Sequence, residues 1–156
     1  MTQEQKQTTV LDKTTMYLEN YREMQRYVQN AVSEASQIED MAKYNVSAED
    51  AYLQSVREYR AETIILLEHI NKAMDLLKEE AIQQGEKYKY DAFEAIYIQG
   101  KSYEDVAKEL ACGRNSPKRW CKIMTARLSV KLFGAKAFDD DDIALKRWLK
   151  IGEKTP

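Results

Sequence analysis

Apolar residues recur along this chain at helical spacing almost from end to end. Between Thr8 and Ile38 they fall at Val10, Tyr17, Tyr21, Met24, Val28, Ala31, Ala35 and Ile38. After the first interval the steps alternate four and three, the period of one helix face. The tyrosines and the methionine on this seam read as packing residues rather than a ligand box. Residues 43–46 break the pattern as a short connector. Ser47-Ala48-Glu49-Asp50 then reads as a helix start, with Ser47 as N-cap and acids where they meet the positive end of the helix dipole. A second stripe runs through Tyr52, Val56, Tyr59, Thr63, Leu66, Ile70, Ala73 and Leu77, widened by Ile64, Leu67, Met74 and Ile82. It continues to Gln84, where Gly85 supplies a C-cap. At about 1.5 Å per residue this helix spans roughly 57 Å, so its stripe has to be buried against other helices. The first helix can fold back across the connector as an antiparallel hairpin. The stripe is wider than one partner covers. A second copy of the chain is therefore expected to cover the rest, with an intramolecular bundle as the alternative.

Residues 85–87 are the expected domain boundary. Beyond them, Phe93, Ile96 and Tyr97 line one face of a helix over 88–99, closed by Gly100. Ser102-Tyr103-Glu104-Asp105 repeats the capping signature, and Val106, Ala107 and Leu110 give the next helix its buried side. Residues 111–115 form a turn in which Gly113 is free to take positive φ. The following helix is expected to have Ser116 as N-cap and Pro117 as its first residue, where proline has no donor to lose. At about 100° per residue, Lys118, Arg119 and Lys122 share one side, with Trp120, Ile123, Met124 and Leu128 roughly opposite. Arg127 falls inside the apolar arc and is expected to snorkel outward. The helix runs on to Gly134. The acidic run 139–142 is either a hinge or the start of a last amphipathic helix over 143–151. Trp148 and Leu149 on that helix either pack on the preceding helices or face a protein partner.

Composition agrees with long helices, since the chain has only five Gly and two Pro among 32% charged residues. The fold class read here is all-α. A long, coiled-coil-like helical hairpin over 1–85 serves oligomerisation, a helix-turn-helix unit covers 86–138, and an acidic hinge with an amphipathic helix fills 139–156. Charge adds the sharpest signal. Residues 111–138 hold seven Lys/Arg and no Asp or Glu, although the chain as a whole carries net charge −2. A basic segment inside an acidic chain points to a polyanion, here double-stranded DNA.

Other classes recede. No stretch approaches the roughly 20 apolar residues that span a bilayer. The opening MTQEQKQTTV lacks the basic and apolar regions of a signal peptide, so a cytoplasmic location is expected and no membrane partner. Cys112 and Cys121 match no common zinc spacing, and Cys112 reads as a core thiol. His69 is the sole histidine and has no nucleophile in motif context, and no phosphate-cradling glycine loop appears. No enzyme activity, cofactor or metal is expected.

Residues 102–128 resemble the DNA-reading fourth region of bacterial sigma factors. More closely, residues 90–138 are similar to the C-terminal half of phage-encoded late-gene transcription activators of the ArpU and RinA type. The resemblance rests on YIQGKSYEDVAKEL, the basic helix ending TARLSVKLFG, and its Leu-Phe-Gly exit. It implies promoter recognition in the major groove by helix 116–133. Carried onto matching positions, it implies base or phosphate contacts from Arg114, Asn115, Ser116, Lys118, Arg119 and Lys122, with Ser102 and Tyr103 touching phosphates. Pro117 stands where sigma factors have a buried aliphatic residue and Gly113 where they have a Ser/Thr cap, which predicts a longer turn here. The expected function is a homodimeric, sequence-specific transcriptional regulator of phage or prophage origin, with direct contact to RNA polymerase left open. The alternatives are a structural DNA-binding protein such as a phage packaging (small terminase-like) subunit, or an interaction protein whose basic helix meets an acidic partner.

Overall fold

The computed structural model describes residues 8–30, 48–139 and 143–154, and every regular element among them is an α-helix. Helix α1 spans Val10–Glu19, and after a turn at Asn20 residues 21–30 are helical again (α2). Then follow α3 (Ala48–Gln83), α4 (Lys87–Tyr97), α5 (Tyr103–Glu109), α6 (Ser116–Phe133), α7 (Lys136–Asp139) and α8 (Ile143–Lys154). The chain forms two compact units. One combines the residues up to Glu19 with Lys72 onward, and the other is Asn20–Asn71. The connector at 43–46, the seam positions Ala31, Ala35 and Ile38, the Ser47 cap and the acids at 140–142 lie outside the described residues.

The first helix differs from the continuous rod its periodicity suggested. Its first segment belongs with the C-terminal helices, packing on α6, α7 and α8. Thr9 starts it by a reciprocal cap. Its hydroxyl accepts the Asp12 N–H at 3.1 Å, and the Asp12 carboxylate accepts the Thr9 N–H at 3.4 Å. The buried positions are Val10, Thr14 and Leu18, each four apart, and not Tyr17. Tyr17 is half-buried and stacks on Phe133 with ring centroids 6.4 Å apart.

Helix α6 is the axis of this unit. Pro117, Cys121, Ile123, Met124, Thr125, Ala126, Leu128, Ser129 and Leu132 are all buried. The opposition of basic and apolar sides therefore holds only for its first turns, where Lys118, Arg119 and Lys122 are exposed. Lower down, the same side carries Thr125, Ala126 and Ser129, whose small volume lets α1 approach closely. Ser129 Oγ lies 2.8 Å from Thr14 Oγ1 and 2.9 Å from the Thr125 carbonyl oxygen. Thr14 in turn donates to the Val10 carbonyl at 2.9 Å, so no hydroxyl at this contact is left without a partner. A core cluster joins Val10, Ala126, Ala137 and Leu145, with Trp148 and Leu149 packed against it. Of the two roles open to Trp148 and Leu149, packing is the one observed.

The last part of α3 buries Ala73, Met74, Leu77 and Ala81 in the same unit. Gly85, at φ +71, closes it as expected: its N–H meets the Ile82 carbonyl while Glu86 N–H reaches the Ala81 carbonyl at 2.7 Å. No unit boundary falls at residues 85–87, because Glu86 and Lys89 are buried within this unit. In the other unit, Leu67 and Ile70 are buried, and Tyr21 Oη donates to Asn71 Oδ1. Gln25 Nε2 donates to the same tyrosine oxygen at 3.2 Å, which ties α2 to α3 there. Ile65 of that unit stays 67% exposed.

Candidate nucleic-acid interface

Helices α5 and α6, with the turn between them, carry the residues expected to meet DNA. Ser102 starts α5 from an extended backbone (φ −76, ψ 157), and its hydroxyl oxygen accepts the Asp105 N–H at 3.1 Å. Val106 and Ala107 are buried, whereas Leu110, expected beside them, is exposed as the C-cap. The left-handed residue of the turn is Ala111, at φ 50, and not Gly113. Cys112 N–H reaches the Ala107 carbonyl at 3.1 Å and Ala111 N–H the Lys108 carbonyl at 3.3 Å. That pair of bonds closes a helix end around a positive-φ residue wherever it occurs, so the backbone here overrides the alanine's preference. Gly113 serves a different purpose. Ser116 N–H donates to its carbonyl at 3.1 Å, and a Cβ at 113 would stand only 3.3 Å from Ser116 Oγ.

Helix α6 begins one residue earlier than the proline suggested. Asn115 is the N-cap by position and its side chain makes no capping bond; Ser116 is the first helical residue and Pro117 the second. Pro117 is buried. Trp120 packs, as Ile96 does, on the cluster of Ala92, Ala95 and Val106, and meets the Tyr88 ring edge-on at 5.0 Å. These contacts seat the first turns of α6 on α4 and α5.

Around this anchor Arg114, Asn115, Lys118, Arg119 and Lys122 are exposed, while Ser116 is half-buried beneath the turn. Arg114, Lys118 and Arg119 have no ion-pair partner among the described residues. Lys122 Nζ sits 5.2 Å from the centroid of the Trp148 ring, a cation–π contact that holds it at the junction of α6 and α8. Tyr103 lines the same cleft of about 260 Å³ as Lys122, Trp148, Asp12 and Tyr97. Burial, reinforced by Cys121 and Glu19, raises the Tyr103 hydroxyl's pKa, so it stays a neutral donor. Ser102 accepts through its oxygen and so retains its O–H proton, with Glu104 and Asp105 beside it in the first turn. The start of α6 is purely cationic; the start of α5 is mixed.

The acid-free window does not translate into a surface of seven cations. Arg127, expected to snorkel outward, is 10% exposed and its Nη1 lies 2.7 Å from Glu86 Oε2. Lys89, 1% exposed, reaches the other oxygen of that carboxylate at 3.0 Å. Lys131 pairs with Glu80 at 2.5 Å. Burial pushes the Glu86 carboxyl upward, but hydrogen bonds and charge from Arg127 and Lys89 outweigh it and hold its pKa below the ordinary value. Acids remote in sequence thus neutralise the inner part of the window. The outer cations, Arg114, Lys118, Arg119 and Lys122, have no ion-pair partner among the described residues.

Cys121 is buried and its thiol pKa is pushed up to about 12, which makes it a packing group. Among the described residues no group of three or more His, Cys, Asp or Glu is placed to hold a metal ion. None of the described helices is long and apolar enough to cross a membrane. Periodicity missed one set of exposed cations: Lys146, Arg147 and Lys150 on α8. The signal was present, because KRWLK at 146–150 repeats KRWCK at 118–122. No protein-family model, curated protein or solved structure matches the chain.

Proposed function

We propose that this chain is a sequence-specific, DNA-binding transcriptional regulator that reads the major groove with the first turns of α6. In this reading α5, the turn at 110–115 and α6 form a helix-turn-helix of the sigma-region-4 type. One observation carries it: Arg114, Lys118 and Arg119 stand exposed and, among the described residues, without ion-pair partners at the start of a helix anchored from behind by Trp120. A helix seated in this way presents its N-terminal residues to base edges, while cations at its flank meet phosphates. Asn115 suits base reading, because its amide is not used in capping and can donate and accept at adenine. Arg119 suits guanine for the same geometric reason. Lys118, Lys122 and the Tyr103 hydroxyl would meet phosphates and supply salt-dependent affinity.

The similarity of residues 90–138 to ArpU- and RinA-type activators is the basis for proposing phage late-gene activation as the process. A homodimer formed through the N-terminal helices would present two reading heads, and the exposed Ile65 supports such a contact. Light scattering reporting two subunits agrees with this assembly, and eight or more would favour a ring-forming packaging subunit. The test of the function is selection of bound duplexes from a random pool, followed by sequencing. A recovered consensus whose binding falls about tenfold or more in Arg119→Ala supports the reading. A pool that stays random after repeated rounds rejects sequence specificity.

A further inference from the structure

Helix α8 carries the same five-residue pattern as the start of α6. KRWCK occupies 118–122 and KRWLK occupies 146–150. The two copies behave alike in the fold. In each, the tryptophan is half-buried and packs inward, while both lysines and the arginine are exposed. The copies also touch, since Lys122 of the first lies over the Trp148 ring of the second. Residues 143–151 contain no acid, and none of their three cations has an ion-pair partner among the described residues.

We propose that α8 is a second DNA-contacting element, in which Lys146, Arg147 and Lys150 hold the phosphate backbone beside the segment read by α6. The proposal rests on the DNA-binding reading above and adds a second element to it. At about 100° per residue the three cations share one side of α8, away from Leu145, Trp148 and Leu149. Amphipathic basic helices also bind anionic lipid, but they do so by inserting an apolar face. Here that face is already committed, because Leu145 is fully buried and Trp148 and Leu149 pack on the cluster around Ala126. Outward, α8 offers three cations around a single strongly exposed apolar residue, Ile143 in its first turn, too little apolar surface to insert and enough charge to suit a phosphate backbone.

The test is fluorescence anisotropy of the full chain with a random-sequence duplex across a potassium chloride series. Three proteins are compared: wild type, the Lys146→Ala/Arg147→Ala/Lys150→Ala variant, and a control, Lys13→Ala/Lys72→Ala/Lys78→Ala, that removes equal charge from exposed positions elsewhere. Each phosphate contact contributes about 0.9 to the slope of log affinity against log salt. The α8 variant should therefore lose about two to three units of slope and the control close to none. A Lys146→Gln/Lys150→Gln variant, gentler on the helix, should lose about two. Wild-type slope in both α8 variants, or equal losses in the α8 variant and the control, overturns the assignment while leaving the DNA reading intact. A wild-type chain that binds no duplex overturns both. Loss of binding to phosphatidylserine vesicles, with duplex binding unchanged, would give the patch to a membrane instead.

Discussion

Arg127 Nη1 lies 2.7 Å from Glu86 Oε2, with both side chains nearly removed from solvent and forty-one residues apart in the chain. This ion pair joins the α3–α4 junction to the middle of α6, and Lys89 completes it from α4. A buried pair adds little relative to an apolar replacement, but breaking one leaves an uncompensated charge in the interior. It also explains why a run of cations without local acids forms a stable helix packed into a core.

Removing one partner should therefore be severe. Arg127→Ala is expected to destabilise the chain by about 3–5 kcal/mol in urea unfolding at neutral pH. A loss under about 1 kcal/mol would mean the pair is solvated in solution.

The same pair sets an acid limb. The Glu86 carboxyl has its pKa lowered from 4.5, so its contribution is complete above that value and is lost as pH falls through the folded-state pKa. Unfolding followed between pH 3 and 7 should show wild type losing stability below about pH 4.5 more steeply than Glu86→Gln. Parallel curves would contradict this.

Ala111 holds a left-handed backbone at φ 50 for the closure of α5. Ala111→Gly should stabilise the chain by about 1 kcal/mol, and Ala111→Val should destabilise it by more. Equal melting temperatures for all three would show that the turn relaxes.

Ser129 meets Thr14 where α1 crosses α6. Ser129→Leu adds volume to a contact built on small side chains. It should lower stability by about 1–3 kcal/mol and speed proteolytic cleavage within α1. Unchanged cleavage would argue that α1 does not rest on α6.

Much of this fold was legible in the residues, and the exceptions have physical reasons. The caps at Ser102, Gly85 and Gly134 were readable because each depends on neighbours in the chain. The turn at Asn20 was hidden, since the seam steps by three and four through it without a Gly or Pro to mark the break. Thr14 was passed over as polar, although its hydroxyl is satisfied by Val10 one turn back and by Ser129, which lets it be buried. Arg127 was misplaced because its partner, Glu86, is supplied by another helix, which local spacing cannot reveal. In the candidate site, the exposure of Lys118 and Arg119 was legible from the wheel alone. The role of Trp148 under Lys122 needed the packing of α8.

The two thiols should separate chemically. Burial pushes Cys121 up to about 12, while Cys112 is half-buried at the turn. Iodoacetamide at pH 8 should modify Cys112 first, and Cys112→Ser should leave the native chain nearly inert. Comparable labelling of both would show that the centre of α6 opens readily.

The central claim is that the exposed start of α6 binds duplex DNA. Its most direct measurement is equilibrium anisotropy of wild type and Lys118→Ala/Arg119→Ala on one duplex at about 0.15 M salt, near physiological ionic strength. The account predicts wild-type binding that weakens steeply with salt, and a drop of about tenfold or more in the variant with its fold intact. Equal affinity in the two proteins, or no wild-type binding at that salt, would contradict it.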